Sequence, residues 1–121
     1  MSYMPQEIEV WYVIPAIRRE LAKAMKEMDL KQQKIADNLG ITVPAVSQYV
    51  TGKRGKDVIF EKDIITEVKV SAKKIMNDSS MMVPEIQKLL TIVRKKGMLC
   101  KIAKKYHKLP KNCKACMEFY D

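Results

Sequence analysis

Gln32-Gln33-Lys34-Ile35-Ala36-Asp37-Asn38-Leu39-Gly40-Ile41-Thr42-Val43-Pro44-Ala45-Val46-Ser47-Gln48-Tyr49-Val50-Thr51-Gly52-Lys53-Arg54 is the stretch that decides the fold. It reads as two short helices, about 32–39 and 43–51, on either side of Gly40-Ile41-Thr42. Such a pair meets at a fixed angle when the first helix carries a small residue and a glycine makes the turn. The second helix must also send apolar side chains back onto the first. Ala36 is the small residue and Leu39-Gly40 the turn. Val46 and Val50 are expected to bury one face of the second helix, with Ile35 and Ile41 completing the seam. Thr42 suits the N-cap, and Pro44 falls in the first turn, where its missing N–H would have had no partner.

The other face of the second helix is then expected to present Val43, Ala45, Ser47 and Gln48 to solvent, with Pro44 beside them. Such a face fits the major groove of duplex DNA. Glutamine pairs bidentately with adenine, and Val43, Pro44 and Ala45 offer apolar contact to thymine methyls. Gln32, opening the first helix, is placed for a phosphate, as are Lys53, Arg54 and Lys56 beyond the second. The DNA-binding set read from the sequence is therefore Gln32, Thr42, Val43, Pro44, Ala45, Ser47, Gln48, Lys53, Arg54 and Lys56.

These residues carry a resemblance. Residues 32–42, then Val46-Ser47-Gln48-Tyr49 and Gly52-Lys53-Arg54, resemble the Xre/Cro-type helix-turn-helix of phage repressors. The flanking Trp11-Tyr12-Val13-Ile14-Pro15-Ala16-Ile17-Arg18-Arg19 and the ending 47–55 resemble, more narrowly, a group of predicted archaeal transcriptional regulators. In that group a Cys-containing C-terminal segment follows the DNA-binding domain. The resemblance implies that Gln32 holds the DNA backbone and that Val43, Pro44, Ala45, Ser47 and Gln48 face bases. Recognition helices of this type often carry Arg or amides at their early positions, where this chain has Val43-Pro44-Ala45. The departure shifts readout toward Gln48 and toward DNA shape.

Outside the motif the chain reads as helical throughout. Ile17, Leu21, Met25 and Met28 recur at helical spacing, and Pro15 divides an aromatic-rich lead-in from a helix beginning near Ile14. The lead-in, 10–14, is apolar enough to require packing on the core or on a second subunit. Residues 58–66 mix both periods, with 58–60 open to an extended reading, and from Ile64 a helix is predicted to about Asn77. Asp78-Ser79-Ser80 breaks it, Pro84 marks the next start, and Gly97 the next stop, behind Arg94-Lys95-Lys96. A last short helix is predicted over 99–107. The fold class is all-α: a phage-repressor-like helix-turn-helix bundle with additional C-terminal helices.

The chain has 121 residues, enough for one compact domain or a small domain with an appended module. The division read from the sequence is a DNA-binding part, 1–57, and a helical dimerisation and sensor part, 58–121. A formal net charge of +9 favours polyanionic partners. Residues 81–121 carry ten Lys/Arg against three acids, and 31–57 five against two, so charge does not confine binding to one half. No apolar run approaches the roughly 20 residues of a membrane span, and Glu7 and Glu9 precede the apolar stretch at the start, unlike a secretory signal. A cytoplasmic protein is expected. No carboxylate pair, nucleophile–base motif or phosphate-cradling glycine loop points to an enzyme.

Three cysteines lie in the last 22 residues, and with His107 they space as Cys100-x6-His107-x5-Cys113-x2-Cys116. In a reducing compartment such clustering indicates metal or redox chemistry rather than a disulfide scaffold. If 99–107 is helical, Cys100 and His107 stand roughly 10 Å apart along the axis, too far for easy ligation of one zinc. An iron–sulfur cluster spans more and suits spaced ligands better, with Lys111 and Lys114 offsetting its charge. Zinc is the second choice. The CxxC also fits a dithiol switch, and Cys100, between Leu99 and Ile102 in the helical pattern, also fits a buried core thiol. The partner set is double-stranded DNA and a second copy of the chain, because one short recognition helix reads too few base pairs alone. An RNA- or ribosome-associated basic protein is the alternative.

Overall fold

A computed structural model describes residues 4–106, and all its regular elements are helical. In chain order these are α1 (Pro5–Ile8), a π turn (Glu9–Val13), α2 (Ile14–Glu27), α3 (Gln32–Leu39), α4 (Val43–Val50) and α5 (Lys62–Asn77). A 3₁₀ turn (Ser79–Met81), α6 (Met82–Lys95) and α7 (Met98–Tyr106) complete the order. The expected all-α class is what the chain adopts.

The lead-in is helical and continuous with α2, and its irregularity lies at Pro15. Proline has no N–H to give, and its ring clashes with the carbonyl four residues back. The chain answers with a π turn just upstream, in which the Ile14 N–H reaches Glu9 O. The wider turn also sets the burial pattern. Ile8 and Val13, five residues apart, are both fully buried, whereas from Val13 onward the buried positions Ala16, Ile17, Leu21, Ala24 and Met25 follow ordinary α spacing. Glu9 is carried inward too and meets Arg94 of α6, whose Nε donates to Glu9 Oε2 at 2.7 Å and whose second guanidinium nitrogen donates to Oε1 at 3.0 Å.

α2 is the central helix and packs against α5, α4, α3 and α6. From α5 it meets a stripe of Ile64, Val68, Ala72 and Ile75, all essentially inaccessible. Each such aliphatic side chain larger than alanine contributes about 1.5–3 kcal/mol by leaving water. One hydrophobic core runs from Ile8 to Ala103, so residues on both sides of position 57 share it. Residues 58–60 form no regular element, yet Val58 and Phe60 are buried while Ile59 between them is 85% exposed.

Several boundaries moved for local reasons. α5 starts at Lys62, two residues before the predicted start at Ile64, and the Asp63 side chain accepts from the Ile64 N–H at 2.9 Å. Asp78 ends that helix and opens the 3₁₀ turn that sequence reading missed, accepting from Ser80 through both N–H and hydroxyl. Those two bonds hold the Asp78 carboxyl below its ordinary pKa. α6 therefore starts at Met82, with Pro84 in its first turn, as expected from the sequence. A second polar contact is buried between α5 and α6, where Ser71 Oγ donates to Glu85 Oε1 at 2.8 Å.

Candidate nucleic-acid interface

α3 opens on Gln32 and closes at Gly40, whose φ of 65° is the left-handed conformation that a glycine adopts without strain. The Ile41 N–H donates back to Ala36 O, so the turn is tied to the helix it leaves. Thr42 then caps α4, its hydroxyl accepting from the Ala45 N–H at 3.2 Å. Ile35, Ala36 and Leu39 of α3 are buried with Val46 of α4, as the seam requires.

The phase of α4 differs from the expectation in two places. Ala45 is only 8% exposed and lies on the inward face with Val46 and Tyr49, so the expected solvent-facing Ala45 is corrected. Tyr49, not Val50, is the large buried side chain of this helix: it is 1% exposed, while Val50 is half-buried. The reason is steric. Positions 45 and 49 lie one turn apart on the same helix face, and the small Ala45 leaves room for the phenol ring to seat in the core. The outward face is left with exposed Pro44 and Gln48 and half-buried Val43 and Ser47, and Thr42 is exposed at its start.

The exit from α4 is built onto the same face. Thr51 Oγ1 donates to Ser47 O at 2.8 Å, and the N–H groups of Lys53 and Arg54 both donate to Gln48 O, at 2.9 and 3.2 Å. Gln48 thus offers its amide outward while its own carbonyl fixes the two basic residues that follow. The Arg54 guanidinium sits 5.2 Å from the centre of the Tyr49 ring, a cation–π arrangement worth about 0.5–1 kcal/mol at an exposed site. Lys53, Arg54 and Lys56 are all exposed, and Gln32 is half-buried at the start of α3. Tyr49 is the positioning residue that sequence reading passed over. Its size, four residues after Ala45, was the available signal.

The exit loop is also clamped to α2. Gly55 has φ 74° and lies so close to Pro15 that a Cβ there would stand 2.5 Å from the Pro15 carbonyl oxygen. The basic exit is therefore held at both ends, to α4 through Gln48 O and to α2 through Pro15.

The metal candidates are reached only in part. Cys100 is a free, half-buried thiol on α7. His107, Cys113 and Cys116 lie outside the described residues, and among the described residues no three His, Cys, Asp or Glu side chains gather as a metal site. No helix of the described residues is long and apolar enough to cross a membrane.

Two helices joined at a left-handed glycine, the second capped by threonine and followed by a basic exit, make up a helix-turn-helix, the architecture of DNA-binding regulators. Residues 21–58 match the helix-turn-helix family, a segment that takes in the end of α2, both helices of the motif and the exit loop. No curated protein and no solved structure matches the chain.

Proposed function

We propose that the chain is a transcriptional regulator that works inside the cell, binding duplex DNA with sequence preference as a homodimer. The carrying observation is α4: its outward face offers Val43, Pro44, Ser47 and Gln48, and the carbonyl of Gln48 holds the basic exit in place. An eight-residue recognition helix reads only a few base pairs. Useful specificity then calls for two copies on half-sites about 34–36 Å apart. The exposed Val10 and Trp11 of the lead-in, together with the C-terminal helices, supply surface for that contact.

Gln48→Ala is expected to lower affinity for a duplex selected from random sequence by about 1–3 kcal/mol and to relax preference at one base pair. Equal loss on every duplex would contradict base reading by Gln48. Lys53→Ala is expected to weaken all duplexes alike and to lower the salt slope of binding by about one unit. A preference for RNA over duplex DNA in the same titration would overturn the DNA reading.

The cysteine segment is proposed as a sensor. Cys100, Cys113 and Cys116, with His107 as a fourth ligand, hold an iron–sulfur cluster, zinc being the second candidate. The site couples redox or metal status to the spacing of two recognition helices. The ligand spacing and the free, half-buried thiol of Cys100 support this. Protein purified without oxygen is expected to be coloured and to contain iron and acid-labile sulfide. Colourless protein carrying zinc would overturn the cluster.

A further inference from the structure

From Ile86 to Met117 the chain contains no Asp or Glu. Solvated surfaces ordinarily intersperse both signs of charge, and over the described part of this run, 86–106, every charge that the run itself carries is basic. On α7 the placement is explicit. Leu99, Ile102 and Ala103 face the core, and Lys101, Lys104 and Lys105 are exposed. Lys95 and Lys96 extend the exposed basic surface across the Gly97 turn to the end of α6.

Where that surface sits is fixed by three anchors. Arg94 is bound bidentately to Glu9, the residue that opens the π turn. Lys96 pairs with Asp63, in the first turn of α5. α7 packs against α1. The exit loop of the helix-turn-helix, in turn, is seated on Pro15, six residues along the same rod from Glu9, or about 9 Å at 1.5 Å per residue. It runs on through Val58 and Phe60 into the start of α5, where Asp63 takes Lys96. The exit loop therefore meets the α1–α2 rod at Pro15 and Arg19, near its middle, and the α6–α7 end meets it at Glu9 and α1, toward its N-terminus.

We propose that the α6–α7 end, carried by Lys95, Lys101 and Lys104, is a second phosphate-contacting surface. It continues along the duplex the backbone contact begun by Lys53 and Arg54. The inference rests on the DNA-binding reading above and extends its footprint beyond the recognition helix. Its occupant is the phosphate backbone of duplex DNA, recognised by charge and not by sequence, because lysine ammonium groups act as point charges.

The test uses the full chain and a mixed-sequence duplex of about three helical turns, titrated over a range of salt concentrations. The triple variant Lys95→Gln, Lys101→Gln, Lys104→Gln is expected to lose at least about tenfold in affinity at low salt. Its salt slope should fall by about two to three units, near 0.9 for each phosphate contact removed. The matching Lys→Arg triple variant keeps the charge and is expected to keep the wild-type slope. A slope unchanged by the glutamine substitutions, in a wild-type chain that does bind the duplex, overturns the second surface and leaves the helix-turn-helix reading standing. A wild-type chain that ignores the duplex, or prefers an RNA hairpin, overturns both.

Discussion

Gly55→Ala is expected to lower stability by about 2–5 kcal/mol and to weaken binding to every duplex. Two costs add. Alanine in the left-handed region costs about 1–2 kcal/mol, and Gly55 sits there at φ 74°. The new Cβ also meets the Pro15 carbonyl oxygen at 2.5 Å and the Arg19 Cβ at 3.1 Å, neither of which can swing aside, and overpacking of this kind costs about 1–3 kcal/mol. Gly52→Ala is the natural comparison, because Gly52 has φ 80° but open space around it, and only the backbone cost applies. Urea unfolding of the two variants separates the terms. Equal losses would show that the clamp on Pro15 carries no energy. With the clamp strained, the exit loop no longer holds Lys53, Arg54 and Lys56 at a fixed distance from α2, and the lost affinity is shared by all sequences.

The second large effect is expected at the pair joining the lead-in to α6. Arg94→Met removes the guanidinium that holds both oxygens of the Glu9 carboxylate, whose side chain is only 5% exposed. Removing one partner of such a pair costs about 3–5 kcal/mol, mostly the penalty of the charge left behind. Glu9→Leu combined with Arg94→Met removes that penalty and is expected to recover most of the loss, since apolar replacements of a buried pair are often neutral. Denaturation midpoints for the single and double variants test this. A double variant as unstable as Arg94→Met alone would mean that the carboxylate left on Glu9 carries no penalty, and losses that simply add would mean that the two side chains act independently.

The helix-turn-helix was legible because its determinants are local. Gly40, Thr42, Ala36 and the seam residues lie within a dozen positions, and each acts through its own turn or cap. Helix phase was less legible. In α4 both Val43-Val46-Val50 and Ala45-Val46-Tyr49 make an apolar stripe, and eight residues are too few for periodicity to choose between them. Volume chose, since the core accepts the tyrosine ring where alanine precedes it by one turn. Contacts between distant residues left no pattern to read. Glu9 and Arg94 are 85 residues apart, and nothing near Gly55 announces that Pro15 will lie against it. The proposed base contacts of Gln48 and its neighbours, and the proposed cysteine site, depend on partners that the chain alone does not supply.

The π turn acts as one inserted residue, letting positions five apart, Ile8 and Val13, share the buried face that an α-helix gives to positions four apart. Deleting one residue between Glu9 and Val13 would let the segment relax to an unbroken α-helix while Ile8 and Glu9 keep nearly their present faces. Straightening the turn at full length has the opposite effect. An α-helix advances about 100° for each residue, so everything upstream would be turned by roughly that angle relative to α2. Ile8 would leave the core, Glu9 would swing away from Arg94, and α1 would lose its seat on α7. The N-terminal arm is consequently indexed by the hydrogen-bond step of this one turn, and a gap of one residue there is the length change that it can absorb.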